Sequence, residues 1–201
     1  MNSTPVAFFD FDGTLTTGDT LLPFLRFVVG SPVYYAKLVL LSPVLGAYAI
    51  NLLRNDIAKQ VVLRQFLAGR SIEELFELGK NFSTQIIPAK LRPAGIERLS
   101  WHLSQGHDCV LVSASLDVYV EHWGKYRGFK GIIASSLRVN ESGAVTGNLR
   151  GENCFGPEKA RRIRQWLMAD NRLPETTYAY GDSRGDSDML DFAEHAFFVK
   201  E

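Results

Sequence analysis

Cysteine is scarce. The chain holds two, Cys109 and Cys154, with no CxxC pair. That argues against both a disulfide framework and a zinc site. Net charge is lacking too, since 22 Lys and Arg balance 22 Asp and Glu. Without a basic excess nothing draws a nucleic-acid polyanion, and no nucleic-acid partner is expected. The four histidines, His102, His107, His122 and His195, show no ligand spacing and read as surface or packing residues. There is no internal repeat and no low-complexity tract. No basic segment followed by an apolar one comes after Met1, so no secretory leader is read and cytoplasmic placement is the default. What remains is ordinary for a globular protein: 201 residues, 46% hydrophobic and 22% charged. That length suits one domain, or one domain carrying a large insertion.

The chain reads in three zones. Val6–Phe11 is a short buried strand. From Thr20 to about Pro88 the pattern is helical and poor in strand signals. From Gly106 onward strands and helices alternate. "DCVLVSAS" and "GIIASS" are apolar runs ending in small polar residues. "RVNESGAVTGNLRG" has turn residues between alternating runs and predicts a hairpin. Pro157 opens a helix with apolar positions at Ile163, Trp166 and Leu167. "TYAYGDS" and "HAFFVK" are the last strands. Such alternation predicts an α/β fold, a parallel sheet with helices on both faces.

The informative stretch is "VAFFDFDGTLTTGD", Val6 to Asp19. Aspartate is a poor strand former, yet Asp10 and Asp12 end an apolar strand. Ligands of open α/β sheets bind beyond the carboxyl ends of the strands. Strands ending at Asp10–Asp12, Ser113 and Asp182 would bring those groups together if they are neighbours. Asp10, Asp12, Asp182 and Asp186 would then repel one another in a dry crevice. A bound cation removes the conflict, and hard oxygen ligands favour Mg²⁺. Asp188, close by, reads as helix N-terminal charge.

Four motifs in order make the resemblance specific. The chain resembles phosphatases of the haloacid dehalogenase superfamily. "DFDGT" (Asp10–Thr14) is similar to the first motif, DxDx[TV]. "VLVS", closing on Ser113, is similar to the second. Lys159 in "GPEKAR" stands for the third, and "GDSRGD" (Gly181–Asp186) for the fourth. The likeness runs from Val6 to Val199. It implies a Rossmann-like parallel sheet flanked by helices, with a helical cap inserted after the first strand. The core would be residues 1–16 and 89–201, the cap residues 17–88. By resemblance Asp10 is the nucleophile of an aspartyl-phosphate mechanism. Asp12, on the same face if the strand stays extended, is the general acid and base. Gly13 lets the backbone turn beside the phosphate. Ser113 and Lys159 bind phosphoryl oxygens. Mg²⁺ is held by Asp10, the Asp12 carbonyl and Asp182, with Asp186 orienting waters or adding a ligand. The chain stops just after the last predicted strand, where related chains usually continue.

The insertion carries the substrate question. Its place resembles the phosphoserine-phosphatase-like branch. Those enzymes have a glutamate nine residues after the nucleophile and an arginine in a cap helix. Here Asp19 takes the first place, and Lys59 or Arg64 lies near the second without a clear register. "SAS" (Ser113–Ser115) stands where they have Ser-Gly-Gly. The insertion is also apolar: from Phe27 to Leu53 the only charge is Lys37. A single bilayer span is excluded, because it would separate Asp10 from Ser113, Lys159 and Asp182. Ser42-Pro43 is expected to break the stretch into two short halves. It then forms a buried cap core, a helical hairpin (33–53) seated in the membrane interface, or a partner surface. The pattern is similar to the phosphatidylglycerophosphatase C type. The expected activity is hydrolysis of a small phosphate ester or a lipid head-group phosphate, with peripheral membrane contact through residues 27–53. Phosphoserine is the alternative substrate. A non-catalytic phosphoacceptor or phosphate-binding module is the rival of another class. Receiver domains, the nearest such module, place the phosphorylated aspartate on a later strand and lack the insertion.

Overall fold

The computed structural model describes residues 4–50, 52–169 and 171–199. Among them seven strands occur: β1 (Val6–Phe9), β2 (Asp108–Leu116), β3 (Gly131–Ser135), β4 (Leu137–Val139), β5 (Val145–Leu149), β6 (Thr177–Gly181) and β7 (His195–Phe198). Five of them form one sheet in the order β3-β2-β1-β6-β7. Every pairing in it is parallel. β4 and β5 form the antiparallel hairpin expected around Asn140–Gly143. Its turn closes through Asn140 N–H to the Ala144 carbonyl at 2.9 Å.

Strand alternation explains the two cores. Successive side chains of β1 point to opposite faces. Ala7 and Phe9 join Cys109, Leu111 and Leu99 in one cluster. Val6 and Phe8 join Val110, Val112, Ile163 and Met189 in the other. Helices α5 (Pro93–Ser104) and α6 (Asp117–Tyr126) cover the first face. Helices α7 (Pro157–Ala169) and α8 (Ser187–Phe192) cover the second. Chain order runs outward from β1 in both directions, so β1 and β6 flank the point where the winding reverses. A crevice opens beyond the carboxyl ends of strands at such a point.

Between β1 and α5 lie α1 (Leu21–Val29), α2 (Ser31–Ala49), α3 (Asn55–Leu67) and α4 (Ile72–Gln85). The chain leaves and returns side by side: Thr16 bridges Leu91, and Thr17 N–H donates to the Lys90 carbonyl at 2.8 Å. α4 lies tight on α6. A Cβ on Gly79 would stand 1.8 Å from the Val118 carbonyl oxygen, so only glycine permits this approach.

Two expectations need correction. β1 ends at Phe9, not Phe11. Its last rung is Asp10 N–H to the Tyr180 carbonyl, 2.9 Å. Beyond it the backbone turns, with Leu15 and Thr16 N–H both donating to the Phe11 carbonyl. Asp10 therefore closes the strand pairing while Asp12 sits on the turn beyond it, and the two do not share one extended strand face. The second correction concerns Ser42-Pro43. The break falls at Gly30, whose φ is +77°, and α2 runs unbroken through Pro43. Proline removes the N–H that would bond the carbonyl four residues back. Here Ser42 Oγ donates to that same Val39 carbonyl at 2.8 Å and replaces the lost bond. The hairpin reading of 33–53 is thereby overturned; Asn51 within it lies outside the described residues.

The apolar stretch is also not wholly a buried core. On α2, Tyr34 and Leu41 face inward, while Val39 is 72% and Leu40 70% exposed. Among the described residues no helix is long and apolar enough to cross a membrane.

Candidate active site

Gly13 organises the turn after β1. Its φ is +85°, and a Cβ there would come within 2.1 Å of Asp182 Oδ2. Glycine thus lets the turn and the carboxylate beyond β6 share one space. Thr14 Oγ1 donates to Asp182 Oδ1 at 3.3 Å. Asp186 ends a 3-10 turn over Arg184–Asp186. Its Oδ2 accepts from Asp182 N–H at 3.2 Å, Ser183 N–H at 3.0 Å and Ser183 Oγ at 2.8 Å.

Lys159 comes from the first turn of α7 and is fully buried. Its Nζ donates to Asp10 Oδ1 at 2.5 Å, Asp186 Oδ1 at 2.6 Å and the Val112 carbonyl at 2.9 Å. Burial alone would lower its pKa, but Asp10 and Asp186 outweigh that and keep it charged. Burial pushes the Asp10 carboxyl up to about 7 against the pull of Lys159. Burial and the charge of Asp186 also raise Asp182.

Asp10, Asp182 and Asp186 each offer an oxygen, and these lie within 4.8 Å of one another. With all three carboxylates ionised, one ammonium would leave two negative charges uncompensated in the crevice. A divalent cation balances them, and an all-oxygen donor set suits Mg²⁺. The residues present therefore fit the ion.

Asp12 is set apart from this cluster. Its Oδ1 accepts from Thr20 Oγ1 at 2.6 Å and its Oδ2 from Ser115 Oγ at 2.5 Å. Burial, then the charge of Asp19, pushes it up to about 6, while the hydroxyls pull it down. β2 does not close on Ser113 but runs on to Leu116; Ser113 is buried within it, and its Oγ accepts from Ser115 N–H at 3.0 Å. Asp19 accepts from Leu22 N–H at 3.0 Å and so caps α1. It also lines the cavity.

A cavity of about 440 Å³ joins these groups. Asp10, Asp12, Ser113, Lys159 and Asp186 form its floor, and Leu21, Leu45, Tyr48 and Val62 one wall. Lys59 of α3 reaches into it, donating to the Ala114 carbonyl at 2.5 Å and Asn153 Oδ1 at 2.7 Å. Burial lowers its pKa to about 8. Arg64 points elsewhere, to Asn148 Oδ1 on β5 at 2.8 Å. Of the two cations of the insertion left open by the sequence, Lys59 and Arg64, the structure brings only Lys59 to the cavity. Thr20, Ser115, Tyr119 and Ser183 were not anticipated at all. The signal for Ser115 was present, in the departure of "SAS" from Ser-Gly-Gly.

The helix bearing Lys159 is itself anchored by charge. Glu158 bonds Arg161 at 2.6 Å and Arg162 at 2.7 Å. The Arg161 hydrogen bonds, against burial and with help from Arg162, hold its carboxyl at about 2. A depressed folded pKa gives stability above the ordinary value of 4.5 that is lost as pH falls toward 2. Glu158→Gln should therefore be less stable than wild type at pH 6, with the gap narrowing below pH 4.5 and closing only near pH 2. Urea unfolding across that range checks it; a gap that widens on acidification would contradict it.

Comparison with known proteins places the chain in a family. The model of the haloacid dehalogenase-like hydrolase family matches residues 7–191. Protein CicA of Caulobacter vibrioides is 34% identical over 186 residues, 92% of this chain and 82% of CicA. A structure of a protein of unknown function from Bordetella pertussis Tohama I superposes with a TM-score of 0.82 at 24% identity, covering 96% of this chain and 88% of that one. A substrate-bound phosphoserine phosphatase superposes with a TM-score of 0.66 at 20% identity, covering 96% and 84%. The chain belongs to the haloacid dehalogenase-like hydrolase family.

Proposed function

We propose that the chain hydrolyses phosphate monoesters through an aspartyl-phosphate on Asp10, with Mg²⁺ as cofactor. The observation that carries this is Lys159, buried and bonded to both Asp10 and Asp186 beside Asp182. In the first step an Asp10 oxygen attacks phosphorus and the bond to the leaving oxygen breaks. Asp12 gives that oxygen its proton. In the second step Asp12 takes a proton from water, the water oxygen bonds phosphorus, and the bond to Asp10 breaks. Lys159 and Ser113 hold phosphoryl oxygens as charge builds on them. Asp10, the Asp12 carbonyl and Asp182 would hold the ion, with Asp186 behind them. When bound, the ion neutralises carboxylate and phosphoryl charge, so that one anion can approach another. In excess chelator turnover of p-nitrophenyl phosphate should vanish and return with Mg²⁺. Ca²⁺ should restore it poorly, because its looser coordination misplaces the carboxylate. Full activity in chelator would refute the metal role.

For the substrate we infer a lipid head-group phosphate. The apolar wall of the cavity supports it: Leu45 and Tyr48 line the cavity from α2, the helix whose other face exposes Val39 and Leu40. Such a face suits a membrane surface beside the entrance. Burying one such side chain is worth roughly 1.5–3 kcal/mol, so Val39→Gln with Leu40→Gln should weaken binding to phospholipid vesicles about a hundredfold or more. Hydrolysis of p-nitrophenyl phosphate should persist. Equal vesicle binding by the double variant would end the membrane reading. Phosphoserine is the second reading, favoured by Lys59 and Asp19, which give the cavity one group of each charge. A substrate screen over phosphorylated lipids and phosphoserine decides between them.

A further inference from the structure

Asp12 is clamped by hydroxyls from three different elements. Thr20 stands at the N-terminus of α1, Ser115 near the end of β2 and Tyr119 in the first turn of α6. Thr20 and Ser115 donate to the two oxygens of Asp12. Tyr119 Oη donates in turn to Ser115 Oγ at 2.9 Å. Thr20 Oγ1 lies 3.3 Å from Tyr119 Oη and 3.4 Å from Ser115 Oγ. All three residues are buried. None of the three is among the groups assigned above to phosphate or cation.

From this we infer that Thr20, Ser115 and Tyr119 are positioning residues that aim Asp12 at the leaving oxygen. The inference rests on the reading of Asp12 as acid and base. A carboxylate bonded through both oxygens loses its freedom to rotate about the side-chain torsions. In a cavity of this size a misaimed acid would leave the leaving oxygen without its proton. Each carboxylate oxygen has a second lone-pair site, so both hydroxyls can stay bonded while one free site carries the proton to the leaving oxygen. Thr20 also begins the first helix of the insertion. The aim of Asp12 therefore depends on α1 standing where it does against the sheet.

The clamp predicts a selective loss. General acid catalysis contributes about 10²–10⁴-fold where the leaving group needs a proton, and little where it does not. Ser115→Ala and Thr20→Val should lose roughly tenfold to a hundredfold in kcat on benzyl phosphate, whose alkoxide leaves poorly. Their loss on p-nitrophenyl phosphate should be several-fold smaller. Thr20→Ser, which keeps the hydroxyl, should restore the benzyl phosphate rate. Tyr119→Phe, which removes one oxygen from a buried ring, gives a second test if Ser115→Ala fails to fold. Equal losses on both esters, or no rescue by Thr20→Ser, would overturn the clamp while leaving the phosphatase reading intact. A wild-type protein that cleaves neither ester with Mg²⁺ would overturn that reading and the clamp with it.

Discussion

Asp10→Asn should abolish turnover, by at least about 10⁴-fold on p-nitrophenyl phosphate, while leaving the fold intact. An amide cannot form the covalent bond to phosphorus, and removing a nucleophile typically costs several orders of magnitude. Stability should move the other way. Burial raises the Asp10 carboxyl to about 7, so its ionisation works against the folded state as pH rises from 3.8 through 7. In chelator at pH 8 the asparagine variant should therefore melt at or above the wild-type temperature. Steady-state rates, thermal melts and mass spectrometry to exclude deamidation check both halves. Turnover within tenfold of wild type would remove Asp10 from the chemistry.

Lys159→Met should damage both stability and activity. It leaves Asp10 and Asp186 buried without their cation. Breaking a buried pair in this way costs about 3–5 kcal/mol, which lowers the melting temperature of a protein this size by about 10 °C. Loss of a charge aimed at the phosphoryl oxygens should slow turnover by about 10²-fold or more. Mg²⁺ should raise the variant's melting temperature more than the wild type's, because more negative charge is left uncompensated. A variant that melts with wild type and turns over within tenfold of it would make Lys159 an incidental helix residue.

Much of this arrangement was legible from the chain because its chemistry is local. A carboxylate ending an apolar strand is odd wherever it occurs, and three strands ended on polar groups. The parallel sheet then had to bring Asp10, Ser113 and Asp182 to one edge, and the order β2-β1-β6 does so. Lys159 was harder, because a lysine in a first helical turn is usually exposed; its burial depends on the whole of α7 packing over the second cluster. Two failures have plain causes. Pro43 looked like a helix breaker, and only the neighbouring Ser42 hydroxyl, repairing the Val39 carbonyl, makes it tolerable. Apart from Ser115 in "SAS", the clamp around Asp12 was invisible because its members are 8, 103 and, through Ser115, 4 residues apart. Hydroxyls carry no periodic signal, and their meeting is a product of packing. The exposed face of α2 lay between these cases: its apolar length was plain, but which side chains turn outward depends on how α3 meets it.

The most direct test of the central claim is the stereochemical course at phosphorus. An ester made chiral at phosphorus with oxygen isotopes and sulfur would be hydrolysed with Mg²⁺ present. Attack by Asp10 followed by attack by water is two in-line displacements, so the product should show net retention. Net inversion would mean that water attacks the ester directly, and would contradict an aspartyl-phosphate on Asp10.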